Sequence, residues 1–99
     1  MSEAEKVIIT TVTVSELCRL CQVDRAVIVA LVDFGVLSPS GRSETDWRFD
    51  QHGIQRAARA CRLEHDLGLN TAGVALVLDL LEERDGLLQQ MREMSVSDT

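Results

Sequence analysis

The residues with the most reactive chemistry in this chain are three cysteines and two histidines. Cys18 and Cys21 form a Cys-x-x-Cys pair, and His52, Cys61 and His65 lie farther along. Such a pair invites a zinc or a thiol-redox reading. A closed zinc site takes four ligands, and the chain has no second Cys pair. Cys61, His52 and His65 complete a site only if the fold happens to gather them. A thioredoxin-type motif follows a strand in a βαβ unit. Here the pair falls on a helical segment, where spacing i, i+3 packs both thiols beside Leu17 and Leu20. An odd number of cysteines fits a reducing compartment better than a disulfide framework. His52 and His65 stand without a nucleophile or a paired acid, so no catalytic constellation forms around them. Both are expected to be structural hydrogen-bonders, with His65 near a helix C-terminus that favours imidazolium. The expectation is a protein that is not an enzyme and holds no metal or cofactor.

The remaining candidates are charges. Arg56, Arg59 and Arg62 recur every three residues as a drifting basic stripe. Asp79, Glu82, Glu83 and Asp85 form the densest acidic cluster, and Asp79, Glu82 and Glu83 share one helix face at i, i+3, i+4. Two arrangements are open: a solvated stripe with Arg62 and Asp66 paired at i, i+4, or a stripe paired with those acids. A second acidic pair, Asp24 and Asp33, brackets a short apolar helix. Overall ten basic residues face sixteen acidic ones, a formal charge of −6 with a pI near 4.7. Proteins that read nucleic acid usually show a basic footprint instead.

The elements that must position these groups fit one small domain of 99 residues. The core is aliphatic, because 45% of residues are hydrophobic yet only two Phe and one Trp are aromatic. Lys6 to Val14 is dense in β-branched residues and predicts a strand. Ser15 then offers a cap to a helix from Glu16 to Cys21. Gln22-Val23 makes a turn, Asp24 caps a helix from Arg25 to about Phe34, and Gly35 stops it. Together, about 15–35 make a helix-turn-helix. A wing over about 36–49 follows. Its strand, Thr45 to Phe49, sets Trp47 and Phe49 on one face, with Trp47 expected in the core. Asp50 caps a third helix over about 51–67, ended by Gly68. Asn70 or Thr71 opens a fourth over about 71–94, with Gly86 its weak point, and 95–99 form a polar tail. The longest apolar run, Ala26 to Val32, is far short of the ~20 residues of a membrane span. With no secretory leader recognisable, a cytoplasmic location is expected.

The fourth helix is apolar on two sides. Val74, Val77, Leu78, Leu81, Leu88 and Met91 form one stripe, and Leu76, Leu80, Leu87 and Met94 another. One stripe serves a monomer. Two need two neighbours, which points to a homodimer with Val77, Leu80, Leu81, Leu87, Leu88 and Met91 as dimerisation residues.

Helix-turn-helix, aromatic wing strand, third helix and long dimerising helix resemble the MerR-type winged-helix plan from Val12 to Met94. The fold class is therefore α+β, mostly α. The second half resembles the CbpM family of chaperone modulators more closely. It carries Trp47-x-Phe49-Asp50-x-His52, then Arg62-Leu63-x-His65-Asp66-Leu67-x-Leu69-Asn70, then Gly73 and Ala75. Thr11 to Cys18 resembles the start of that family. The resemblance implies a small dimer that binds the J domain of the DnaJ-like co-chaperone CbpA, blocks its stimulation of DnaK and opposes its binding to DNA. J domains carry a basic helix, so the implied contact surface is acidic. The candidates are Asp79, Glu82, Glu83 and Asp85, favoured, and Asp24 with Asp33.

The alternative is a MerR-type transcription regulator. In such proteins the middle of the second helix carries Arg and aromatic residues that hold bases and phosphates. The matching positions here are Val29, Ala30 and Leu31, none able to pair a phosphate or base edge. Asp24 and Asp33 repel DNA, and Arg25 is the helix's only cation. The helix suits protein recognition better, with Val27, Ile28, Leu31 and Val32 toward the core.

Overall fold

The computed structural model describes residues 10–97. Helix α1 spans Val14–Cys21, α2 Arg25–Asp33, α3 Gln51–Leu67 and α4 Thr71–Ser97, with a 3-10 turn at Glu44–Asp46. The molecule is mostly helical. α1 packs on α2 and α3, and α4 lies against α2 and α3.

α1 starts two residues before the expected Glu16, and Thr13 rather than Ser15 caps it. The Thr13 side chain accepts from Glu16 N at 3.2 Å, and Glu16 Oε1 accepts from Thr13 N at 2.8 Å. This reciprocal pair satisfies two backbone donors that a helix start otherwise leaves open. The cap also removes Val14 from the expected strand and buries it at 3% exposure. Of that strand, 6–9 lie outside the described residues. Val12 keeps a single antiparallel bridge to Phe49, with both N–H···O bonds at 2.9 Å.

Gln22 closes α1 in the left-handed region at φ 58. Asp24 stands at the N-cap of α2 in extended backbone, but its side chain makes no capping hydrogen bond. α2 ends at Asp33 with Phe34 as C-cap, and Val36 N donates to Leu31 O at 2.8 Å. That return bond turns Val36 and Leu37 into the core.

The wing region differs from expectation. Among the described residues it contains no strand. Glu44–Asp46 form the 3-10 turn, and Arg48 bridges Ser40 through two 3.0 Å backbone bonds. Gly41 makes this closure possible. At φ +108, a Cβ there would stand 2.5 Å from the Asp46 carbonyl oxygen. Trp47 is half-buried and meets the fully buried Phe49 edge to face, centroids 6.3 Å apart.

α3 has the expected bounds. Asp50 Oδ1 accepts from Gly53 N at 2.9 Å, and Gly68 ends the helix at φ +64. Asn70 starts α4, its Oδ1 accepting from Gly73 N at 2.8 Å. α4 runs through Gly86 without a break and extends past Met94, so Ser95 to Ser97, expected in a polar tail, are helical. The core is Val14, Leu17, Ile28, Leu31, Val36, Leu37, Phe49, Ala57, Ala60, Val74 and Leu78. Small Ala57 and Ala60 let α3 approach its neighbours closely, and Val74 with Leu78 pins the first half of α4 beneath it.

Candidate functional site

α2 has an inner face of buried side chains and a less buried outer face. Ile28 and Leu31 are fully buried, with Val27 and Val32 packed against them. Leu31, one of the three positions matched to DNA contacts, therefore points inward. Ala26, Val29, Ala30 and Asp33, at i, i+3, i+4, i+7, make the outer face, Ala26 and Asp33 exposed and Val29 and Ala30 half-buried, with Phe34 more than half exposed beyond its end. Arg25, the only cation of the helix, pairs with Glu44 of the 3-10 turn. The face presented outward is thus small, apolar and edged by Asp24 and Asp33. Glu44 and Phe34 were not among the sequence candidates. Glu44 lies 19 residues from its partner, and no local spacing predicts that pair. Phe34 has the composition of a core residue, and only its place past the last turn of α2 exposes it.

The acidic cluster of α4 falls into three parts. Arg56 on α3 reaches Glu82 Oε1 at 3.2 Å and Asp79 Oδ1 at 3.8 Å. The stripe therefore pairs in part with acids of its own chain, and Arg56 is its half-buried anchor. Its Nε is buried and has no partner, so the guanidinium is oriented by its other end. Asp85 meets neighbouring Arg84 at 3.8 Å. Glu83 is exposed and has no ion-pair partner among the described residues. Asp66, the partner of Arg62 in the solvated-stripe arrangement, instead sits 3.1 Å from His65 Nδ1 on the surface. His52 is exposed and lines a shallow cleft with Gln55, Arg56, Arg59 and Glu82.

The two apolar stripes of α4 separate at Leu81. Val74 and Leu78 are buried, and Val77 and Leu81 are half-buried. Leu88 and Met91, placed in the same stripe, are exposed, as are Leu76, Leu80, Leu87 and Met94. Every residue from Glu82 to Ser95 is exposed. Of the expected dimerisation set, Leu80, Leu87, Leu88 and Met91 thus form open apolar surface, while Val77 and Leu81 mark its border with the core.

Cys18, Cys21 and Cys61 are free thiols packed against the core cluster. Among the described residues, no group of three or more His, Cys, Asp or Glu is gathered to hold a metal ion. No helix among them is long and apolar enough to cross a membrane.

A paired helix-turn-helix braced by two further helices is the arrangement of a MerR-type regulatory domain. Residues 12–95 match the family described as MerR HTH family regulatory protein. The chain is similar to the chaperone modulatory protein CbpM of Coxiella burnetii, 33% identical over 82% of this chain and 76% of the relative. It is also similar to the CbpM proteins of Citrobacter koseri, 37% identical over 83% and 81%, and Pseudomonas putida, 38% over 77% and 71%. The chain belongs to the CbpM family of MerR-like proteins.

Proposed function

We propose that this protein is a non-enzymatic, cytoplasmic chaperone modulator. It acts as a homodimer, docks on the J domain of a DnaJ-like co-chaperone of the CbpA type and blocks that domain's stimulation of DnaK. The means is steric: the modulator occupies the J-domain face that engages the chaperone. The outer face of α2 is the observation that carries this reading over its rival. A DNA reader keeps its affinity through cations aimed at phosphates, each adding to a steeply salt-dependent attraction. Here the one cation of α2 is held by Glu44, and Ala26, Val29 and Ala30 offer no polar atom to a base edge. Against a protein, the same small apolar face bordered by acids is an asset, since complementary charge steers encounter and apolar contact supplies affinity.

Two acidic surfaces suit a basic J-domain helix. We favour the α4 surface of Asp79, Glu82, Glu83 and Asp85, of which Glu83 has no ion-pair partner among the described residues. Asp24 and Asp33 on α2 are the second surface. The exposed stripe through Leu80, Leu87, Leu88 and Met91 supplies the dimer contact, with Val77 and Leu81 at its base.

The rival is a MerR-type transcription regulator, a reading supported by the retained helix-turn-helix alone. Calorimetric titration of an isolated J domain into the protein tests the first, and an anisotropy assay with duplex DNA at about 150 mM salt tests the second. Saturable J-domain binding with no DNA binding at micromolar protein is the expected outcome. Sub-micromolar, sequence-specific DNA binding without J-domain binding reverses the assignment.

A further inference from the structure

The basic stripe of α3 is only partly used by the contacts described above. Arg56 turns to Asp79 and Glu82, whereas Arg59 and Arg62 are exposed and have no ion-pair partner among the described residues. They continue an exposed face that begins with His52 and Gln55, at i, i+3, i+7 and i+10. A rise of ~1.5 Å per residue carries this face about 15 Å along the helix. At its far end, where α1 packs on α3, lies an open cleft of about 370 Å³. Leu20, Cys21 and Val23 line it from the end of α1 and the turn after it, and Ala58, Cys61 and Arg62 line it from α3. Leu20 is 61% exposed, so a large apolar side chain at this cleft is left to solvent. We propose that the cleft and the cations beside it are a docking site for an acidic amphipathic helix of a partner protein.

Charge selects the occupant. The chain as a whole carries −6, so two unpaired arginines on one helix face reverse the sign locally and attract acids. The one acid lining the cleft is Asp66, and it is hydrogen-bonded to His65 at 3.1 Å. Shape selects the form. Among the described residues there is no strand whose edge a peptide could extend. A groove between two helices takes instead the apolar side chains of a third, spaced i, i+3 or i+4. Such anchors entering the cleft cover Leu20 and Val23, and carboxylates one turn away meet Arg59 and Arg62. Nucleic acid fits the same surface poorly. The cleft has no aromatic side chain on which a base could stack, and Asp79 with Glu82 flanks the stripe at Arg56. The site is distinct from the acidic surfaces offered to a basic J-domain helix, because Arg59 and Arg62 repel such a helix. It is occupied independently of J-domain docking.

The test uses the full chain, labelled with nitrogen-15. Its amide shifts are followed as a synthetic helical peptide of glutamates and alanines, with two leucines four apart, is added. Saturable binding below millimolar peptide is expected, with shifts confined to the end of α1, the turn after it and the cleft side of α3. Arg59→Glu with Arg62→Glu should weaken binding by about tenfold, and added salt should weaken it further. Leu20→Ser should weaken it with the helical spectrum unchanged. Control peptides with alanine for leucine, or lysine for glutamate, should bind far more weakly. No saturation at millimolar peptide, equal binding of either control, or shifts centred on α4 would overturn the proposal. Duplex DNA that displaces the peptide gives the surface to nucleic acid. Shifts of the same residues on raising protein concentration alone give it to a second copy. Either result also overturns the proposal. Where the double substitution fails to fold, Arg62→Gln and the shift map of the unsubstituted protein decide.

Discussion

Leu87→Glu isolates the proposed dimer contact from the fold. Leu87 is 54% exposed and lies beyond the last core residue of α4, Leu78. Fully burying a Leu side chain stabilises by about 1.5–3 kcal/mol, so covering the open half contributes about 1 kcal/mol. Placing a carboxylate there adds a desolvation penalty of about 1 kcal/mol at a partly wet rim. In a two-fold dimer both changes occur twice, giving a loss of about 4 kcal/mol, or roughly a thousandfold in the dissociation constant. A dimer of micromolar affinity becomes a monomer at tens of micromolar protein. Sedimentation velocity should then show the 11.0 kDa chain where the unsubstituted protein sediments at twice that mass. The far-UV spectrum should keep the helices of the core. Leu81 serves this purpose badly, because it is half-buried in its own chain. An unsubstituted protein that stays monomeric at high micromolar concentration refutes the reasoning, as does a Leu87→Glu dimer of unchanged affinity.

Reversing Glu83 and Asp85 to Lys should weaken J-domain binding by about 2 kcal/mol, mainly through a slower, salt-sensitive on-rate. If Asp24→Lys with Asp33→Lys removes binding and the α4 pair does not, the contact belongs to α2. Leu78→Ala removes a fully buried side chain between α4 and the core, and a loss of about 2–5 kcal/mol is expected in denaturant titration. A loss under 1 kcal/mol there contradicts the packing described. Glu16 is held below the usual carboxylate range, chiefly by its hydrogen bond from the Thr13 backbone. Its stabilising contribution is present above that range and is lost as pH falls through the lowered folded value. Glu16→Gln should flatten this acid limb in unfolding measured against pH, and an unchanged slope speaks against the cap.

The parts of the fold legible in the sequence were those with a local chemical signature. α3 follows from Asp50 at one end and Gly68 at the other, and both act as their residue types predict. β-branched composition up to Val14 points to a strand, but the Thr13-x-x-Glu16 spacing is a capping box and starts α1 at Val14, two residues ahead of Glu16. The strand expected over Thr45 to Phe49 rested on alternation of Trp47 and Phe49. Alternation does not supply a partner strand, and only isolated bridges to Ser40 and Val12 formed. Gly86 did not end α4, since an exposed helical Gly costs only about 1 kcal/mol. The candidate surfaces were legible as residue types but not as states. Composition cannot tell that Arg56 holds Asp79 and Glu82, that Glu44 occupies Arg25, or that Leu88 and Met91 leave the core that Val74 and Leu78 enter. Those depend on where helices cross.

The open half of α4 makes the chain uneven in its resistance to opening. From Glu83 onward the helix rests on its own backbone bonds and on local pairs such as Arg92 with Gln89 at 2.7 Å. About 15 residues of isolated helix are marginal in water, so the amides of this half should exchange hydrogen quickly in a lone chain. Those of Val74 to Leu81 should exchange only when the whole domain opens. A partner laid along the stripe would slow the first group and leave the second unchanged. Amide protection past Leu81 is therefore a gauge of how much of the protein is assembled at a given concentration, readable residue by residue along one helix.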